Sequence, residues 1–111
     1  FKTDFPVYAN TASRTYTFHV KSAATANRTA NPTAAELYIE ATYWDHATNN
    51  YRKSIRSTGT VSFASETTWQ AIAITVAPAQ TGLMYLKLVY GKTKEDSKSN
   101  QFFLDPLVVV S

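Results

Sequence analysis

Apolar and polar side chains alternate with period two through most of this chain, and that rhythm limits the fold more than any other feature. Successive side chains of an extended strand point to opposite faces, so alternation supplies one face for a core and one for water. In the run 15–21, Tyr16, Phe18 and Val20 oppose Thr17, His19 and Lys21. Leu37, Ile39, Ala41 and Tyr43 oppose Tyr38, Glu40, Thr42 and Trp44. Gln70, Ile72, Ile74 and Val76 oppose Ala71, Ala73 and Thr75, and Met84, Leu86, Leu88 and Tyr90 oppose Leu83, Tyr85, Lys87 and Val89. Residues 101–110 read as a closing, strongly apolar strand, with shorter strands at 5–8, 51–56 and 60–63.

The breaks carry turn chemistry: Asn27 to Pro32, Asp45 to Asn50, Ser57-Thr58-Gly59, Ala77 to Gly82, and the charged stretch Lys92 to Asn100. One segment competes. Thr33-Ala34-Ala35-Glu36 matches a helix capping box, but a helix over 33–43 would scatter Leu37, Ile39 and Tyr43, whereas a strand aligns them. About seven or eight short strands in 111 residues predict one all-β domain over 1–111, a two-sheet antiparallel β-sandwich of the jelly-roll kind. Closing two sheets face to face buries both apolar faces, at roughly 25 cal/mol per Å².

Composition narrows function. Cys is absent, which removes disulfides, thiolate metal sites and cysteine nucleophiles. Charged residues are 17% of the chain and small hydroxyl residues are frequent, a balance that suits an extracellular β domain. Net charge is +3, with basic groups at Arg52, Lys53 and Arg56 and at Lys92, Lys94 and Lys98. These read as solvated loops, too sparse for a nucleic-acid protein. No apolar run approaches the ~20 residues that cross a bilayer. The opening Phe1-Lys2-Thr3-Asp4-Phe5 has no signal-peptide pattern and reads as a processed start or an excised domain.

Three stretches carry a family resemblance. They are Arg14 to Ser22, with Tyr16-Thr17-Phe18-His19-Val20; Thr68 to Pro78 followed by Gly82 to Leu88, with Trp69 ahead of Ile72, Ile74 and Val76; and Phe102 to Val109, with Asp105. In this order they resemble the jelly-roll carbohydrate-binding modules (galactose-binding-like β-sandwiches) that accompany glycoside hydrolases. The likeness covers about residues 5–110. An Asn- and Gly-rich first strand is missing or altered, and Pro106 stands where such modules often carry a second Asp. The resemblance implies that Asp105 helps hold a structural Ca²⁺, with Asp4 contributing if the first strand lies alongside. Calcium takes roughly six to eight oxygens, so one carboxylate is not enough. The alternative is that Asp105 accepts backbone hydrogen bonds at a bulge before Pro106. The resemblance also implies an inward, structural Trp69 reached through a bulge, because strict alternation puts it on the face opposite Ile72.

Trp44 stands on the polar face of its strand with Tyr38 and Glu40, and leads into Asp45-His46 and then Asn49, Asn50, Tyr51 and Arg52. Sugars stack their C–H faces on aromatic rings while amides, carboxylates and guanidinium groups bond the hydroxyls. This cluster supplies both kinds of group; equally, its aromatics would serve packing against a neighbouring subunit. Tyr85 and Lys87 fit the same outward face. His19 and His46 offer no metal spacing, no nucleophile or phosphate-loop motif is present, and the eight acids are scattered. Asn27-Arg28-Thr29 is a lone glycosylation sequon.

The sequence therefore predicts a non-catalytic glycan-binding module, secreted or surface-displayed, with no nucleic acid and no membrane span. Its rival is a structural subunit of an extracellular filament, surface layer or fibre, joined to neighbouring subunits through outward aromatics and apolar terminal strands that invite strand addition.

Overall fold

The computed structural model describes residues 2–22, 33–47, 52–61, 68–91 and 102–111. They form eight strands: β1 Lys2–Ala9, β2 Arg14–Ser22, β3 Leu37–Trp44, β4 Arg52–Arg56, β5 Gln70–Val76, β6 Gly82–Tyr90, β7 Phe102–Leu104 and β8 Val109–Val110. No helix occurs among the described residues. The first sheet has the order β1-β6-β3-β4 and the second β5-β2-β7, with β8 also paired to β2. Every pairing is antiparallel. The chain crosses between sheets after β1, β2, β4, β5 and β6, which is how a sandwich closes two half-apolar sheets on each other.

The core follows the alternation. Tyr16, Phe18, Val20, Ile72, Ile74 and Val76 come from the second sheet; Leu37, Ile39, Ala41, Met84, Leu86 and Leu88 come from the first. Phe18, Ile39, Met84, Leu86 and Leu88 are fully buried, each such side chain stabilising by about 1.5–3 kcal/mol. Phe5 of β1 meets Phe18 of β2 edge to face, ring centroids 5.3 Å apart, and so links the sheets.

At the competing segment the strand reading holds, and two other local expectations change. The capping box forms one turn only: Thr33 N donates to Glu36 Oε1 at 3.2 Å, and Glu36 N and Leu37 N donate to the Thr33 carbonyl. A strand follows at Leu37, because the inward set from Leu37 to Tyr43 buries fully only in extended form. The closing strand is split. Asp105 N donates to the His19 carbonyl, but Pro106 has no N–H and the ladder resumes only at Val109. Being an edge, this segment leaves Leu107, Val109 and Val110 exposed. Finally, Val61 is buried without belonging to a strand, and residues 62–63 lie outside the described residues.

Candidate functional site

The outer face of the first sheet is built in rows across four strands. Register sets Asp4 opposite Lys87, Lys87 opposite Glu40, and Glu40 opposite Arg56. Signs alternate along this row, and ion pairs form at both ends: Lys87 Nζ to Asp4 Oδ1 at 3.8 Å and Arg56 Nε to Glu40 Oε2 at 3.1 Å. The next row holds Pro6, Tyr85, Thr42 and Ser54, with Thr42 Oγ1 and Ser54 Oγ 2.8 Å apart. Beyond it Trp44 faces Arg52. Cross-strand neighbours of this kind have Cβ atoms about 4.5–5.5 Å apart, so each row is a continuous surface.

Between the rows runs an open groove of about 270 Å³, lined by Asp4, Thr42, Trp44, Arg52, Tyr85 and Lys87. Two aromatic rings stand in it half exposed, Trp44 at 47% and Tyr85 at 41%. Arg52 has no ion pair or hydrogen bond among the described residues. Its surroundings in the groove are one tryptophan, the tyrosines Tyr43 and Tyr85, the Thr42 hydroxyl and one carboxylate–ammonium pair.

Of the residues singled out for this face in the sequence, Trp44, Arg52, Tyr85 and Lys87 line the groove. Tyr38 and Glu40 share the face but not the groove: the Arg56 guanidinium lies 4.4 Å from the Tyr38 ring centroid and covers it, while Glu40 bonds Arg56. The His46 ring lies nearly parallel to Trp44 at 6.4 Å, and its backbone N–H donates to Gln80 Oε1, tying the turn after β3 to the turn before β6. Asn49, Asn50 and Tyr51 lie outside the described residues, as do the sequon at Asn27 and the basic group at Lys92, Lys94 and Lys98. Asp4 enters the groove although the sequence marks it for a metal, and Thr42 enters although nothing marks it. Its phase between Glu40 and Trp44 is the signal that finds it.

The two carboxylates assigned to calcium belong to different sheets. Asp4 is on β1 in the first sheet and pairs with Lys87; the chain around Asp105 follows the β2 edge of the second sheet. Asp105 Oδ1 accepts the Leu107 N–H at 2.9 Å, an Asx turn across Pro106. Among the described residues no group of three or more His, Cys, Asp or Glu converges.

Trp69 is also placed differently from the resemblance. It is 45% exposed on the outer face of the second sheet, where Lys21 Nζ lies 4.9 Å from its ring centroid and 5.6 Å from that of Phe103. Strict alternation holds at the strand entrance, and the ammonium between two rings gives the indole its contact outside the core. No helix of the described residues is long and apolar enough to cross a membrane.

Compared with known proteins, the chain matches no family model, and no curated protein or solved structure matches it significantly.

Proposed function

We propose that this domain is a non-catalytic, extracellular carbohydrate-binding module that takes its ligand in the groove of the first sheet. The observation that carries the reading is the half-exposed Trp44 ring on a rigid strand, with Tyr85 in the same groove and Thr42, Arg52 and the Asp4–Lys87 pair around them. An exposed indole offers a stacking platform for a pyranose, and groups of both hydrogen-bonding kinds stand within reach of its hydroxyls. The platform is preorganised, since β3 pairs on both sides and its inward residues are buried.

A glycan array on the purified chain tests this, repeated with Trp44→Ala. Loss of signal with unchanged melting supports the reading; no binding to any glycan on a broad array defeats it. Trp44 is an exposed strand-end residue, so its truncation is expected to leave the fold intact.

A second reading rests on a separate observation. Phe103, Leu107, Val109 and Val110 are all about half exposed or more along the β7–β8 edge. An apolar edge of this kind suits lateral contact in an extracellular assembly. Light scattering across a concentration series separates the two: self-association without glycan binding favours the structural role.

A further inference from the structure

We infer that the groove selects glycans bearing a carboxylate, as in uronic or sialic acid residues, and that Arg52 is the group that reads it. This rests on the carbohydrate-binding reading of the same groove. Lys87, Arg56 and Arg52 stand along the outer face of β6 and β4. Lys87 is engaged by Asp4 at 3.8 Å, and Arg56 is engaged by Glu40 at 3.1 Å and lies against Tyr38. Of these three, Arg52 has no counter-ion among the described residues, and it stands directly opposite Trp44 in the β3–β4 register. Among the described residues the one carboxylate lining the groove is Asp4, already paired with Lys87, so an unmatched positive charge remains beside the indole.

Guanidinium is planar and presents two parallel N–H donors, the complement of a carboxylate rather than of a single hydroxyl. A pyranose stacked on Trp44 therefore places a ring carboxylate one cross-strand spacing away, over Arg52. The ion pair forms in a groove that the bound sugar itself shields from water. Charge-assisted hydrogen bonds of this kind are roughly twice as strong as neutral ones.

The test titrates the full chain, at low salt, with two matched pairs of probes. Oligogalacturonate is set against its methyl ester, and sialyllactose against lactose. One acid is expected to bind about tenfold more tightly than its neutral partner, and which acid does so names the source of the carboxylate. Arg52→Gln is expected to bring the acid down to the neutral level, with Arg52→Lys intermediate because it keeps the charge and loses the fork. Arg14→Gln, an exposed cation outside this groove, is expected to change nothing. Equal binding of acid and neutral partners overturns the inference, and so does an equal loss in Arg14→Gln, which would make the effect one of net charge. If neutral sugars bind through Trp44 alike, the module reading stands and this one falls. If no probe binds in a Trp44-dependent way and the array is also silent, both fall.

Discussion

Ser57 shows what one hydroxyl does at the end of a ladder. β4 stops at Arg56, yet Ser57 N still donates to the Ile39 carbonyl at 2.8 Å and the Ile39 N–H turns to Ser57 Oγ at 2.9 Å. Both residues are buried, so the Ile39 N–H has no water to fall back on. Ser57→Ala is expected to cost about 1–3 kcal/mol, the desolvation penalty of an orphaned donor. Urea unfolding checks it: a lower midpoint at unchanged slope is expected, and a cost below about 0.5 kcal/mol contradicts the assignment. Nothing in the sequence marks Ser57, since a serine beside Gly59 reads only as turn. Trp44 and Trp69, in contrast, were both legible from phase alone. Alternation put each on the outward side of its strand, and it proved the better guide at Trp69, where the Lys21 stem and Phe103 give the indole a place to pack outside the core.

At the scale of strands, period two fixes which residues share a face but not which strands are neighbours. β1 and β6 pair with Asp4 opposite Lys87, far apart in sequence, and no local pattern announces that register. The groove needs β1, β6, β3 and β4 side by side, so the sequence could supply the Trp44 face and not the Asp4 wall. The β7–β8 segment was legible as an apolar terminal strand but not as a broken one, because hydrophobicity alone does not mark where a ladder lapses. Its break has a physical use. An unbroken exposed edge is a template for pairing, and a proline interrupts it. Pro106→Val is expected to extend the strand through 105–108 and raise self-association, visible as a concentration-dependent rise in mass by light scattering. A variant that stays as monodisperse as the parent removes this protective role. Asp105→Ala removes the acceptor of the Leu107 N–H and is expected to cost about 0.5–1.5 kcal/mol, read from the same urea curves.

For the whole molecule, neither sheet can be stable alone. The inward faces of β2 and β5 bury against those of β3 and β6 in one core cluster among the described residues, and the Phe5–Phe18 contact crosses the interlayer. Separating the layers would put Phe18, Ile39, Met84, Leu86 and Leu88 into water together, a cost comparable to the whole stability of a small domain. The sheets are therefore expected to unfold as one unit. The chain carries a probe for each: Trp44 on the first sheet and Trp69 at the entrance to β5 of the second, both half exposed on outer faces and neither needed by the core. Trp69→Phe leaves a reporter on the first sheet and Trp44→Phe one on the second. Urea transitions followed by fluorescence in the two variants are expected to share one slope, each coinciding with the loss of far-ultraviolet β signal in its own variant. Fluorescence and β signal that part company in either variant would mean that a layer survives its partner's loss. The interlayer would then not be the common source of stability, and the groove on the first sheet could outlast the second.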